Sequence, residues 1–124
     1  MAKTNNIAVG KRGEDEAVEF LRRRGYKILE RNYRYPEFGE MDIVAKHKGV
    51  VCFIEVKKRN SILYAQPHEA VDKKKQFRLS LIALAYLKEK KLMRSRARFD
   101  IVSISPQETR LFENAFELNK RFTY

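Results

Sequence analysis

The sequence is poor in several residue types, and each shortage excludes a class of protein. A single cysteine, Cys52, rules out an internal disulfide and favours a reducing compartment, so we expect a cytoplasmic protein whose thiol is a small core residue. One cysteine and two histidines are too few for the usual zinc site. No run of about 18 apolar residues occurs, so we expect no membrane span. Residues 1–6 also lack the apolar segment of a secretory signal.

Acidic residues are also scarce relative to basic ones. The chain has 27 Lys and Arg against 16 Asp and Glu, which gives a net charge of +11. A small domain this basic usually binds a polyanion, and we predict nucleic acid, with DNA favoured over RNA. The basic runs 22–24, 57–59 and 73–75 are candidate phosphate-binding surfaces, although each could equally be a solvated face. Tyr33, Tyr35 and Tyr64 could stack on unpaired bases.

The hydrophobic pattern predicts an α/β fold. With 124 residues and 44% hydrophobic content, the chain is expected to form one domain over residues 1–124. The predicted order is α-β-β-β-α-β-β, a central mixed sheet of about five strands flanked by helices. We predict helices over 7–24 and from Pro67 to Lys91, and strands over 26–35, 40–45, 50–57, 97–104 and 110–113.

The stretch from Gly39 to Arg59 carries the clearest chemical signal. Two runs rich in β-branched residues flank a short link that ends in Gly49, which predicts a β-hairpin. Because side chains alternate along a strand, Glu55 and Lys57 should share a face. If the hairpin folds about Lys48, Asp42 lies within about two residues of Glu55. Two neighbouring carboxylates with an adjacent lysine are typical of a metal-dependent phosphodiesterase centre.

Other interpretations of these residues remain open. Asp42 and Glu55 could form a structural ion network with Lys57 and Arg34. Glu14 could be solvated on the first helix, and Glu40 could be a third ligand or a structural residue near the turn. A last group is expected to be structural: Asp100 paired with Arg34 or Arg98, and His47 facing solvent in the hairpin link.

Motifs along nearly the whole chain resemble one bacterial family. They are Gly10, 13–17 (GEDEA), 31–34 (RNYR), 39–42 (GEMD), 55–57 (EVK) with Arg59, Pro67, 69–71 (EAV), 75–76 (KQ) and 98–100 (RFD). This ordered set resembles the YraN-like family, in the Holliday junction resolvase-like branch of the PD-(D/E)XK nuclease superfamily. The resemblance implies a restriction-endonuclease-like core and a metal-dependent nuclease that acts on DNA, with branched DNA preferred and a homodimer natural for paired cuts. Relatives often have a glycine in the loop after the EVK strand, and residues 61–66 lack one.

The resemblance also implies residue roles. Asp42 and Glu55 would hold Mg²⁺ or Mn²⁺, the Val56 carbonyl would complete the coordination, and Glu14 would act through water or on a second ion. Lys57 would be the catalytic lysine. Nucleic-acid contacts are predicted from Arg34, Lys58, Arg59, Lys75 and Gln76. The alternative function is a nucleic-acid-binding protein that keeps the nuclease fold without catalysis.

Overall fold

A computed structural model describes the backbone of residues 2–59 and 71–116, and the side chains of residues 12–59 and 71–116. The elements in these ranges follow the predicted order. They are α1 (Ala2–Arg23), β1 (Lys27–Tyr35), β2 (Gly39–His47), β3 (Val50–Lys58), α2 (Lys73–Glu89), β4 (Arg96–Ile104) and β5 (Thr109–Phe116). Neither helix combines the length and apolar character needed to cross a bilayer.

The five strands form one sheet in the order β1-β2-β3-β4-β5. Strands β3 and β4 are parallel, and the other neighbouring pairs are antiparallel. Parallel neighbours need a long crossover, which contains α2. Ala17 and Leu21 of α1 pack on one face of the sheet, and Leu79 and Ile82 of α2 pack on the other. The predicted mixed sheet with a helix on each side is therefore confirmed.

The β2–β3 hairpin forms the centre of the molecule. Lys48 and Gly49 both have positive φ, 50° and 80°, as a two-residue type I′ turn requires, and His47 pairs with Val50 across it. All four residues 51–54 of β3 are fully buried, because helices cover both faces of this strand. Cys52 is among them, so its predicted core position is confirmed, and burial raises the pKa of its thiol to about 12.

The second helix begins later than predicted. Val71 and Asp72 are not helical, and α2 begins at Lys73. Asp72 is the N-cap residue, since its carboxylate accepts a hydrogen bond from the backbone N–H of Lys75 at 2.8 Å. The capping aspartate three residues before Lys75 is the signal that the sequence prediction overlooked. The predicted start at Pro67 lies outside the described residues.

Two other ends differ from the sequence prediction. The first helix begins at Ala2 rather than Ile7. The last strand continues to Phe116 instead of ending at Glu113, since Phe116 stacks on Phe99 of β4 with ring centroids 4.2 Å apart. The stacked pair extends the core beneath the edge strand.

A buried polar cluster lies at the turn end of the hairpin. Asp100 accepts hydrogen bonds from Tyr26 Oη at 3.0 Å, Arg98 Nε at 3.0 Å and the backbone N–H of Asn114 at 2.9 Å. The predicted Asp100–Arg98 pair is thus confirmed. The prediction that His47 faces solvent is wrong, because its ring stacks on Tyr26 at 4.1 Å and its Nδ1 lies 3.3 Å from Arg98 Nη2. Tyr26 is distant in sequence, so the hairpin alone could not indicate this contact.

Candidate active site

The candidate site lies where the paired residues of β2 and β3 end. Their pairing runs from His47 and Val50 to Ile43 and Ile54, so Asp42 comes next, opposite Glu55. Asp42 Oδ2 accepts a hydrogen bond from the backbone N–H of Val56 at 2.8 Å, and the two carboxyl groups are in hydrogen-bond contact. The predicted proximity of Asp42 and Glu55 is therefore confirmed. The carboxylate of Asp42 thus accepts the Val56 N–H, in the role that a backbone carbonyl of the neighbouring strand has in a regular sheet.

Their surroundings move the pKa values of the two carboxyl groups in opposite directions. Burial, followed by the contact with Glu55, raises the pKa of Asp42 to about 8; the charge of Glu14 acts in the same direction, and the Val56 N–H opposes it. Burial would raise the pKa of Glu55 too, but hydrogen bonds from Asp42 and Lys75 outweigh it and lower that pKa. These directions favour a proton on Asp42 over one on Glu55 in the metal-free site.

Two lysines complete this cluster. Lys75 of α2 places Nζ 2.8 Å from Glu55 Oε2, in a pair whose side chains are 25% and 11% exposed. Burial lowers the pKa of Lys57, and so does the neighbouring ammonium of Lys75. Burial alone would lower the pKa of Lys75 too, but Glu55 raises it. Glu55 and Lys57 thus face α2 together, as strand alternation predicted. The contact that Lys75 makes with Glu55 was not predicted.

The remaining predicted site residues lie around this cluster. The carboxylate of Glu14 accepts a hydrogen bond from Asn32 Nδ2 at 2.9 Å and reaches Asp42 through its charge. Gln76 donates its side-chain N–H to the carbonyl of Val71 at 2.8 Å, which ties down the entry to α2. Arg34 pairs with the exposed carboxylate of Glu40 at 3.3 Å. In the alternative interpretation, Arg34 forms an ion network with Asp42 and Glu55. In the structure, Arg34 pairs with Glu40 instead, and the cation beside Glu55 is Lys75.

Lys58 ends β3 and Arg59 follows it, and these two basic side chains have different surroundings. The side chain of Lys58 lies beside α1, with Cδ 3.7 Å from the position that a Cβ of Gly13 would occupy. This distance is ordinary van der Waals contact, so α1 has room for a Cβ at position 13. Arg59 buries Nε without a hydrogen-bond acceptor among the described residues. Both remain predicted nucleic-acid contacts.

The donor set suits a hard divalent cation. Among the described side chains, no three His, Cys, Asp or Glu residues lie together as a set of metal ligands. Mg²⁺ and Mn²⁺ take oxygen ligands, and Mg²⁺ commonly uses one or two carboxylates and keeps several waters. Asp42 and Glu55 provide such a pair where the pairing of β2 and β3 ends, and Glu55 already binds one cation, the Lys75 ammonium, at 2.8 Å. The residues present therefore fit a Mg²⁺ or Mn²⁺ ion.

Aromatic residues beside the cluster were assigned wrongly or missed. Tyr33 was expected to be available for base stacking, but it is 8% exposed, and its hydroxyl donates to Glu89 at 2.6 Å. A left-handed Asn32, with φ of 52°, interrupts the alternation of β1 and turns Tyr33 toward α2. Phe77 followed the apolar spacing of α2 yet is 48% exposed. An aromatic residue flanked by four basic ones at 73–75 and 78 was the available signal.

Comparisons with known proteins agree on one family. The model of a family described as "Uncharacterised protein family UPF0102" matches residues 13–104. A UPF0102 protein of Syntrophus aciditrophicus is 46% identical over 119 residues, which cover 93% of each chain. Another from Acetivibrio thermocellus is 40% identical over 123 residues, covering 92% of this chain and 95% of that one. A third, from Dictyoglomus thermophilum, is 48% identical over 100 residues, covering 81% and 84%.

Proposed function

Because this chain belongs to the UPF0102 family, whose name assigns no activity, we propose its function from the site itself: a Mg²⁺- or Mn²⁺-dependent nuclease that hydrolyses phosphodiester bonds in DNA. The observation that carries the proposal is the meeting of Asp42, which accepts the Val56 N–H at 2.8 Å, with Glu55, which pairs with Lys75 at 2.8 Å. The resemblance of the 39–42 and 55–57 motifs to PD-(D/E)XK nucleases supports the same chemistry and a restriction-endonuclease-like core.

The residues divide the work between charge and proton transfer. A bound divalent cation would neutralise phosphate charge and lower the pKa of a nearby water. Asp42 and Glu55 would hold it, with the Val56 carbonyl and Glu14 as further oxygen donors, the latter through water. Asp42 must first release its proton, so binding of the cation is coupled to proton loss.

The lysines act on the phosphate and on the attacking water. Lys57 has a lowered pKa, so a larger fraction of it is neutral and able to accept a proton from water than for an ordinary lysine. In the absence of a metal ion, Lys75 neutralises the charge of Glu55. Its flexible side chain could turn to a phosphate oxygen if a divalent ion bound that carboxylate. Arg34, Lys58 and Arg59 extend the positive surface along which the DNA backbone would lie.

Branched DNA is the preferred substrate within this proposal, and a homodimer would allow paired cuts. One observation favours the alternative, a protein that binds nucleic acid without cutting it. Lys75 already lies 2.8 Å from Glu55, so the acidic pair is neutralised without any metal ion. In that case the cluster would serve only to hold α2 against the sheet.

A cleavage assay separates the two functions. Linear duplex, single-stranded and four-way DNA are incubated with the protein in Mg²⁺, in Mn²⁺ and in EDTA. The proposal expects cleavage in the metal-containing reactions only, and a loss of about 10²- to 10³-fold on Lys57→Ala, the size of effect typical for one charge-stabilising group. Retarded but uncut DNA in every reaction would identify a binding protein.

A further inference from the structure

A groove of about 430 Å³ lies beside the acidic cluster. Among the residues that the structure describes, its lining is Phe38, Asp72, Lys74, Lys75, Phe77 and Arg78. Lys75 belongs to both places, since its side chain lines the groove and its Nζ lies 2.8 Å from Glu55. A ligand in the groove would therefore lie next to any phosphate held at the acidic cluster.

A strained turn presents the first aromatic wall of the groove. The backbone N–H of Phe38 donates to the carbonyl of Tyr35 at 3.0 Å, and Glu37 has φ of 78°, so residues 35–38 form a type II turn with Pro36 in its favoured position. The Phe38 ring stacks on Tyr35, with centroids 5.3 Å apart and planes 13° apart. The stacked pair fixes the orientation of Phe38 toward the groove.

The second wall is the half-exposed aromatic side chain of Phe77. Phe77 and Tyr35 are the large hydrophobic residues of the described chain that remain exposed, at 48% and 36%. Phe77 lines the groove, and Tyr35 backs Phe38 on its other side. Exposed apolar surface gathered at one place marks a binding site more often than scattered residues do.

The charges around these rings indicate what binds. Lys74, Lys75 and Arg78 bring three positive charges, whereas the one carboxylate, Asp72, is engaged in capping α2. Aromatic faces combined with a positive groove are how proteins hold unpaired bases, since every base has a face that stacks and a phosphate that carries charge. Bases inside an intact duplex are already stacked on each other and do not offer these faces.

We propose that the groove between Phe38 and Phe77 holds one unpaired base of the DNA strand whose phosphate lies at the Asp42–Glu55 cluster. The inference rests on the proposed nuclease function and narrows its substrate to DNA with a single-stranded or extruded nucleotide beside the cleaved bond. Phe77 is then a specificity-determining residue, and Lys74 and Arg78 contact the flanking phosphates.

A tryptophan at position 77 reports the stacking directly, because the natural sequence contains no tryptophan. Phe77→Trp is titrated in EDTA with a thymidine oligomer of about 12 nucleotides, near the upper site size of single-strand binders. The same oligomer with abasic sites and a blunt duplex of equal length serve as comparison ligands. We expect the base-bearing single strand to quench the emission, and the other two to bind with little quenching.

Phe20→Trp is the matched control, since Phe20 lies on α1 against the opposite face of the sheet, with the Arg24 guanidinium 3.9 Å above its ring. Its emission should respond equally to all three ligands. Equal quenching of Phe77→Trp by duplex and single strand, or no quenching by the single strand, would overturn the proposal. So would equal quenching of both tryptophans by the base-bearing strand.

Two further variants separate stacking from simple apolar contact. Phe77→Leu keeps an apolar side chain but loses the ring, and we expect it to bind the single strand about tenfold more weakly. Phe77→Tyr should restore affinity to within about twofold of the natural protein. Neither should change the slope of log affinity against log salt, because the ring contacts a base and no phosphate. Equal affinity of Phe77→Leu and the natural protein would contradict the inference.

These measurements do not depend on cleavage, since they are made in EDTA. Quenching without any metal-dependent cutting in the cleavage assay would leave the base site intact and reject the nuclease. Cutting of fully paired DNA as fast as gapped DNA, with no quenching, would keep the nuclease and reject the base site.

Discussion

Replacing Asp42 by Asn tests both the proton on Asp42 and its catalytic role. The amide is the closest match to a protonated aspartate: its oxygen can still accept from the Val56 N–H, and its N–H₂ can donate to Glu55. The substitution therefore keeps the metal-free arrangement but cannot supply the negative charge that a divalent ion needs.

The effect on stability follows from the pKa of Asp42. Its value of about 8 in the folded protein exceeds the ordinary 3.8, so the folded state holds the proton more tightly than the unfolded chain. The stability that this proton contributes is present in full below about pH 4 and is lost as the pH rises through about 8. Each pH unit in this window removes at most about 1.4 kcal/mol. Glu55, whose pKa is lowered from 4.5, contributes stability that is complete above about that value, so it does not offset this loss.

We therefore expect metal-free protein to lose about 1–2 kcal/mol between pH 6 and pH 8, measured by urea denaturation in EDTA. Asp42→Asn should lose little over this range and should be more stable than the natural protein at pH 8 by about the same amount. Asparagine at position 42 cannot ionise, so the variant lacks the charged form of Asp42 that destabilises the folded protein at high pH.

Metal binding should stabilise the natural protein but not the Asp42→Asn variant. Mn²⁺ at ten times its dissociation constant would stabilise the natural protein at pH 8 by about 1.4 kcal/mol. The variant should gain almost nothing, and its DNA cleavage should fall by about 10²-fold or more while DNA binding persists. Asp15→Asn is the matched control. Asp15 lies on α1 outside the cluster, and it forms an exposed ion pair with Arg31 of β1. Asp42→Asn that cuts DNA normally, or that is less stable than the natural protein at pH 8, would refute the reasoning.

Three other substitutions have expected outcomes. Lys75→Met should lower stability at pH 7 by about 1–3 kcal/mol, since it leaves the buried Glu55 carboxylate without its cation; an unchanged urea midpoint would contradict the pairing. Asp100→Asn should cost about 1.5–3 kcal/mol in urea denaturation, because Arg98 loses its nearest counter-ion and keeps the more exposed Glu113 at 3.8 Å; a loss below about 1 kcal/mol would show that the cluster is not structural. Gly13→Ala should raise the thermal midpoint by the equivalent of about 0.5–1 kcal/mol, because α1 has room for a Cβ there, and a lower midpoint would mean that Lys58 cannot adjust.

Local patterns carried most of the fold. Residues that are neighbours in sequence determine three features of this fold. These are the turn at Lys48 and Gly49, the alternation of side chains along β3 and the apolar face of α2. Together they predicted the sheet, its helices and the meeting of Asp42 with Glu55. Errors arose where the backbone departs from regular alternation. Asn32 in the left-handed region reversed the direction of Tyr33, and a register shift between Ile28 and Glu30 adds a bulge to the same strand.

The chemistry of the site was less accessible from sequence, because it depends on residues that only the crossover brings together. Lys75 lies 20 positions after Glu55, and no periodicity links a strand position to a helix position at that distance. The same holds for the groove, since Phe38 follows a turn and Phe77 lies on a helix. Exposure of Phe77 reverses what its apolar spacing predicted, and such a reversal is expected at a site used for binding.

The charge of the acidic cluster is compatible with the proposed binding of DNA. Without a metal ion, one proton and Lys75 offset the two carboxyl groups, and Lys57 leaves the cluster positive. A divalent ion held by Asp42 and Glu55 would supply the positive charge in place of the proton, and Lys75 would then be free to contact a phosphate. A phosphate therefore meets an attractive field in both states. DNA binding should then survive metal removal, whereas cleavage should not. If binding were lost in EDTA, Lys57 and Lys75 would not make the metal-free cluster attractive to a phosphate.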